Sequence, residues 1–451
     1  MTEAIVRRGA AGYEERRRRL VWNARLPERY PEVIVQAATT DEVVAAVGLA
    51  RELGLRLALR SAGHSWWAAA LRDDSLLLDL STLDHVRIDP AARRLSAGPG
   101  LTAGELTGAL RAHGLAFPGG HCHDVGLGGY LLAGGLGWNA GTWGPACHSV
   151  TAVEVVTARG EVLVADDEHH ADLLWAARGA GPGFFAVATA FETRVYDAPL
   201  AVTSSFAFPL TALPDVAAWV AHLAAGLDRR IELSLFLGTA PAAVGALGIA
   251  AGEPVVVVTA VAFGGAREDC EALLAPLEEG VGRRGFLESE SRRETPQQAL
   301  YEGSGARLPV GRQYAVDCLF SNAPPPELFA ALAAALRAAP SAASWVFVGV
   351  APVQQPLVAP APSAFAAAGR LYVAVYAVWE EGRDARPNLG WLRDAMRGLE
   401  GFTAGRYVGE ADLVADPGAA ARSFSPAAWR RLGAVRESYD PEHLFCSWPG
   451  R

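Results

Sequence analysis

The chain has 451 residues, of which 51% are hydrophobic and 20% charged, with a formal net charge of −9. A chain of this length outgrows one ordinary core, so two domains are expected, and the composition is globular rather than disordered. The acidic balance excludes nucleic acid as a partner, because that takes a concentrated basic surface.

The one basic run, Arg16 to Arg19, follows Glu14 and Glu15 and reads as a solvated helix face with i,i+4 ion pairs. Thr39 and Glu42 have capping-box spacing and open a helix to about Leu53, with Val43, Val44, Val47 and Leu53 on one face. A short strand over 56–59 runs straight into the loop 60–65, and strands follow over 76–80, 86–88 and 93–97. Thr102 with Glu105 caps a further helix that ends near Gly114. Then come a dense glycine region over 119–144, a hairpin of 150–157 with 161–165, a helix over 171–177 and a strand over 186–195.

Beyond Pro199 the character changes. Apolar strands over 232–237, 255–263, 314–320, 345–350 and 371–379 alternate with helices over 214–227, 267–277 and 327–336. That pattern implies an α+β chain whose second domain is one sheet covered on one side by helices. The Pro/Ala-rich stretch 351–368 reads as a surface loop or lid, and a helix over 426–437 precedes the C-terminal segment. No segment is expected to span a membrane, since the most apolar helical run, 327–336, meets Arg337 and Pro340 too soon. The polar N-terminus shows no signal peptide. The five cysteines, Cys122, Cys147, Cys270, Cys318 and Cys446, are scattered without a CxxC pair, which fits a reducing cytoplasm. A monomer or homodimer is expected.

Three segments carry more glycine than turns require: 61–65 around Gly63; Gly126, Gly128 and Gly129 with Gly134, Gly135 and Gly137; and 179–183. Residues without a Cβ let backbone N–H groups approach a diphosphate. A Rossmann fingerprint is excluded by spacing, because no GxGxxG follows the first strand. His121, Cys122, His123 and Asp124 raise a metal site. In an extended segment, however, His121 and His123 share one face and Cys122 takes the other, and no second cluster of standard spacing accompanies them, so no metal is expected. Residues 167–170 read as an exposed turn.

At these residues the chain resembles the berberine-bridge-enzyme-like FAD-linked oxidases, a branch of the vanillyl-alcohol-oxidase (PCMH-type) flavoproteins. Arg60, Ser61, Ala62, Gly63, His64 and Ser65 resemble that family's phosphate loop. The run from Gly120 through Cys122, Val125, Gly126 and Gly128 to Gly129 resembles its second cofactor segment. Trp175 to Phe184 and Tyr439 to Phe445 match two further blocks. The resemblance implies a two-part FAD-binding domain over 1–198, with its core at 28–198. A substrate domain with a largely antiparallel sheet follows over 199–412, and a segment returns to the FAD domain over 413–451. It implies FAD bonded through its 8α-methyl to His64 and through C6 to Cys122, with Gly134, Gly135, Gly137, Trp138 and Tyr439 also at the cofactor. His121 and His123 are expected to lower the Cys122 pKa and aid that bond. A Val at position 125 goes with oxygen as the acceptor in this family.

Where the family carries Tyr-x-Asn-Tyr, this chain has Tyr407, Val408, Gly409 and Glu410. Glu410 becomes the candidate base, with Tyr407 or Asp412 in reserve, and burial is expected to raise its pKa. Alternation along 371–379 puts Tyr372, Ala374, Tyr376 and Val378 on one face, with Tyr372 and Tyr376 candidates for the pocket. Trp66, Trp67, Trp138 and Trp143 are further candidates for its wall. Two departures weaken any transfer of substrate identity: His148 stands where an Asp is common, and the usual Asn-Gln ending is missing. The reading is an oxidase that moves a hydride from a sugar, alcohol, amine, or phenolic or polyketide substrate to flavin N5 and reduces O2 to hydrogen peroxide. The alternatives are a dehydrogenase of the same fold serving a quinone or protein acceptor, and a flavin carrier without turnover.

Overall fold

The computed structural model describes residues 5–240, 252–281, 288–305, 307–352, 354–357, 359–366 and 369–449. Ile5–Arg7 (β1), Val33–Gln36 (β2), Arg56–Arg60 (β3) and Ser75–Asp79 (β4) form a sheet in the order β1-β2-β4-β3. β4 runs parallel to both β2 and β3, while β1 is antiparallel to β2. Helix Thr40–Glu52 makes the crossover that a parallel pair needs. Thr39 accepts from the Glu42 N–H at 3.2 Å, but the Glu42 carboxylate turns to the Ala38 N–H at 2.7 Å, so the box is only half formed. The buried face is Val43, Ala46, Val47 and Ala50. Leu53 is exposed, because it caps the helix beyond that stripe. In helix Tyr13–Arg19 the i,i+4 pairs form, but Arg17 is buried and donates to the carbonyls of Pro27 and Arg29. The basic run is therefore not wholly solvated.

The next strands are Val86–Asp89 (β5), Arg94–Ala97 (β6), Leu115–Ala116 (β7), Val150–Val156 (β8), Val162–Ala165 (β9), Val187–Arg194 (β10) and Tyr196–Asp197 (β11). Five form an antiparallel sheet in the order β5-β6-β10-β8-β9, and β7 pairs with β11. Leu200–Pro209 (β12), Ile231–Thr239 (β13), Pro254–Gly264 (β14), Glu288–Glu294 (β15), Arg312–Ser321 (β16), Trp345–Val350 (β17) and Leu371–Glu380 (β18) build a seven-stranded antiparallel sheet, ordered β15-β12-β14-β13-β17-β18-β16.

Alternation decides what each face of that sheet meets. Leu233, Leu235, Val346, Val348, Val373 and Val375 pack under helices Leu213–Ala224, Arg267–Val281, Pro325–Arg337 and Arg386–Gly398. Full burial of each such side chain contributes roughly 1.5–3 kcal/mol, which fixes the register. Phe236, Trp345, Tyr372, Ala374, Tyr376 and Val378 point the other way, into a core shared with the first two sheets. Asn23 ties the halves together. Its Nδ2 donates to the carbonyls of Trp66 (3.1 Å) and Tyr314 (2.9 Å), and its Oδ1 accepts from the Tyr314 N–H (3.0 Å).

The chain end returns to β3. The Leu57 N–H donates to the Leu444 carbonyl (2.7 Å) and the Cys446 N–H to the Leu57 carbonyl (2.8 Å). The turn before them is shaped by Asp440, whose carboxylate accepts the N–H groups of Leu444 and Phe445. Among the described residues no helix is long and apolar enough to cross a membrane, and no cluster of metal-binding side chains occurs.

Candidate active site

A cavity of about 980 Å³ lies between the first two sheets and the inner face of the third. That is the upper end of the roughly 300–1,000 Å³ typical of small-molecule sites. One wall is the loop after β3. Arg60 there ion-pairs with Asp79 (2.9 Å) and donates to the Leu20 and Ala62 carbonyls, while the Ser61 hydroxyl donates to the Pro99 carbonyl. Gly63 turns the loop at φ +80°, and a Cβ there would run into the Leu20 carbonyl. Gly126 meets this loop so closely that a Cβ on it would overlap the Ser61 hydroxyl and lie 2.8 Å from the Ala62 methyl. The N–H groups of Leu127 and Gly128 are already bonded to the carbonyls of Leu101 and Pro99, both at 2.9 Å. Part of the glycine pattern therefore serves close packing.

His64 and Cys122 both open onto this cavity. His64 stacks on Trp22 with ring centroids 5.2 Å apart, and its Nε2 lies 3.2 Å from Asp124 Oδ2. Burial works against the Asp124 charge, yet the His64 hydrogen bond and charge keep its pKa below the usual value. The Cys122 thiol is pushed up to about 12, by burial first and then by the negative charges of Asp124 and Glu410. The expected lowering by its histidine neighbours does not occur. The chain bends here instead of extending, so His121 and Cys122 share the cavity while His123 is exposed. The His121 Nε2 lies 2.5 Å from Glu232 Oε1, and its ring meets the Trp138 ring at 4.3 Å. Burial opposes the charged form of His121, but Glu232 outweighs it and raises the pKa.

On the opposite wall, Glu410 ends a turn in which its N–H donates to the Tyr407 carbonyl (3.0 Å). Gly409 permits this turn, because a Cβ there would lie 2.8 Å from the Tyr407 ring. The Tyr372 hydroxyl donates to Glu410 Oε2. Burial raises the Glu410 pKa, and Tyr372, His121, Trp66 and Tyr376 offset part of that by favouring the ionised form. Tyr376 stacks flat on Trp345 at 3.8 Å and 3°.

The structure therefore brings Glu410, Tyr407, Tyr372 and Tyr376 to the same cavity as Arg60, Ser61, Ala62, Gly63, His64, Ser65, Gly120, Cys122, Val125, Gly126, Gly128, Gly129, Gly137 and Trp138. Gly134 and Gly135 lie behind the wall, packed against Phe365 and against Ala146 with Tyr130. Tyr439 is also off the cavity. Its hydroxyl donates to Asp172 (3.1 Å), because its block serves to fold the chain end onto β3. Asp412 caps the N–H groups of Val414 and Ala415 and faces a separate small pocket with Trp67 and Arg29, so it is no reserve base. Trp143 stacks on Tyr196. Of the stretch read as a lid, Ala351, Pro352 and Gln354 to Pro356 line the cavity mouth, while Phe365 is fixed by its N–H bond to the Arg178 carbonyl. His148, held by Ser363, has its pKa pushed down to about 4 by burial and by Arg178. In the turn 167–170, Asp167 ion-pairs with Arg178. Glu232, Arg307, Trp345 and Phe347 also line the cavity and were not singled out from sequence.

A family model described as the FAD binding domain matches residues 31–166. The solved structure of Physcomitrella patens BBE-like 1 aligns with a TM-score of 0.82 at 19% identity, covering 99% of this chain and 97% of that one. The FAD-linked oxidoreductase janO of Penicillium janthinellum is 32% identical over 435 residues, 95% of this chain and 93% of that protein. This chain belongs to the FAD-linked oxidoreductases. A third relative in fold is 6-hydroxy-D-nicotine oxidase from Arthrobacter nicotinovorans, with a TM-score of 0.83 at 22% identity over 98% of this chain and 96% of that one.

The residues of this FAD-linked oxidoreductase fit its cofactor. The cavity is large, Gly63 and Gly126 stand where a Cβ finds no room, and the Trp138 Nε1 is buried with no partner among the described residues. A buried donor of this kind calls for an acceptor.

Proposed function

We propose that this FAD-linked oxidoreductase holds its cofactor by two covalent bonds, from His64 to the 8α-methyl and from Cys122 to C6. We propose further that it oxidises a small alcohol, amine, sugar or phenolic substrate with O2 as the acceptor. The observation that carries this reading is one cavity wall bearing both His64 and Cys122, faced by a carboxylate, Glu410, on the other. FAD, when bound, would supply a hydride acceptor that O2 could reoxidise, with hydrogen peroxide as the product.

The chain's own residues do the rest. Asp124 orients His64 through the contact to Nε2. Glu410 takes the proton from the substrate O–H or N–H, and the rise of its pKa on burial strengthens it as a base. Tyr372 fixes the carboxylate, and the stacked pair Trp345 and Tyr376 offers a flat wall to the substrate. Val125, a small side chain lining the same cavity three residues after Cys122, supports access by O2. Five free cysteines support a place in a reducing cytoplasm, as a monomer or homodimer.

The test is an oxygen electrode with peroxide detection, run on the purified holoprotein against a panel of alcohols, amines, sugars and phenols. One peroxide formed per O2 consumed supports the oxidase. Oxidation sustained only by a quinone would replace it with the dehydrogenase, and no turnover with any compound would favour the carrier.

A further inference from the structure

We infer that Arg307 is the docking point for an acidic group of the substrate, so that this enzyme acts on small organic acids with an apolar or aromatic body. The inference rests on the reading of the cavity as the substrate site of a flavin oxidase. Arg307 follows helix Gln297–Gly305, whose Gly303 and Ser304 line the same cavity. The support is fixed. Leu300 and Tyr301 are buried with Ala103 and Trp138 of the cofactor half, and the Tyr301 hydroxyl lies 3.2 Å from that of Thr107. The guanidinium carbon sits 5.9 Å from the centre of the Phe236 ring. Arg307, His121 and Glu410 line the same cavity.

Among the described residues the Arg307 guanidinium has no hydrogen-bond or ion-pair partner, which sets it apart from the other arginines of the cavity. Arg60 pairs with Asp79 and Arg293 with Glu290, while Arg72, Arg229 and Arg370 donate to protein carbonyls. No cavity carboxylate is free to serve it. Glu232 is taken by His121 and the Asn139 N–H, Glu410 by Tyr372, and Glu290 by Arg293. Burial lowers the Arg307 pKa, and no neighbouring acid opposes that shift. A half-buried guanidinium without an acid is left partly desolvated and unpaired, and a carboxylate offers it the paired, charge-assisted bonds its planar fork is shaped for. The apolar body of such a ligand has a wall to lie on, made by Phe347, Trp345 and Tyr376.

The test uses the holoenzyme as wild type, Arg307→Gln and Arg307→Lys. The probes are benzoate, phenylacetate, cinnamate and octanoate, each against its own amide. Binding is read both by the flavin absorbance change and by calorimetry, and FAD content is measured in every sample. At least one acid is expected to bind wild type about tenfold or more tightly than its amide. Arg307→Gln removes that preference by weakening the acid alone, and Arg307→Lys keeps part of it. The inference is overturned if no acid is preferred by wild type, if the preference survives in Arg307→Gln, or if Arg307→Gln loses FAD that wild type retains. That last result would assign Arg307 to the cofactor. A wild type without FAD that still prefers acids through Arg307 would sink the flavin reading alone and leave the docking point standing.

Discussion

The Tyr372 hydroxyl, on the inner face of β18, donates a hydrogen bond to the Glu410 carboxylate on the turn beyond the sheet. Burial raises the Glu410 pKa and this bond lowers it. A base works only when ionised, so kcat is expected to rise with pH through a limb set by Glu410. Tyr372→Phe removes a stabiliser of the charged form and moves that limb to higher pH, where each unit corresponds to about 1.4 kcal/mol. Glu410→Gln keeps its FAD and loses about 10²–10⁴-fold in kcat. A pH profile of kcat, taken on the substrate found by oxygen uptake, checks both. An acid limb unmoved in Tyr372→Phe would uncouple the pair.

Cys122, with a pKa near 12 before the cofactor arrives, is expected to react slowly with iodoacetamide at pH 8 in protein made under riboflavin limitation. Asp124 is the second cause of that shift, after burial. Asp124→Asn removes its charge and should move the midpoint of the alkylation-rate profile to lower pH. Alkylation of the wild-type thiol as fast as that of a free cysteine would contradict the structure.

Gly126→Ala drives a methyl into Ser61 and Ala62 and should separate the two cofactor segments. Lower FAD content and a destabilisation of about 1–3 kcal/mol are expected by thermal melting. Gly108, exposed within helix Ala103–Arg111 with nothing within 4 Å of a Cβ, is the control. There the same change should stabilise by roughly 0.5–1 kcal/mol. Equal effects at the two sites would mean that the close approach at Gly126 is not real.

Asn23→Ala leaves the Tyr314 backbone and the Trp66 carbonyl without their buried partner. The loss should be on the order of 3 kcal/mol in chemical unfolding. Asn23→Asp, which keeps the Oδ1 acceptor and replaces the donor, should also destabilise. A melt unchanged in both would show that the seam does not depend on this residue.

Strong local signals were legible in the sequence. Alternation in β18 grouped Tyr372, Ala374, Tyr376 and Val378 on one face, and that face packs away from the helix layer with Tyr372 and Tyr376 reaching the cavity. The covalent candidates lie in contiguous glycine-rich runs that read as loops around a ligand. Glu410 was visible only as a departure from the family's Tyr-x-Asn-Tyr, and Gly409 beside it makes sense once the Tyr407 ring is seen beneath it. β15 was illegible because it is an edge strand made of charged residues, which read as loop. Glu232 and Arg307 matter through what they pair with, or fail to pair with, across long stretches of chain, and no local pattern encodes that. Tyr439 misled because a block that folds a chain end is as distinctive in sequence as one that touches a ligand.

The central claim is the double tether, and acid precipitation tests it most directly. Wild type, His64→Ala, Cys122→Ala and the double variant are precipitated with trichloroacetic acid, then read by flavin absorbance and intact mass. FAD is expected to stay with the polypeptide in wild type and in each single variant, and to leave the double variant. Flavin released into the supernatant from wild type, or held by only one of the two residues, would contradict the account.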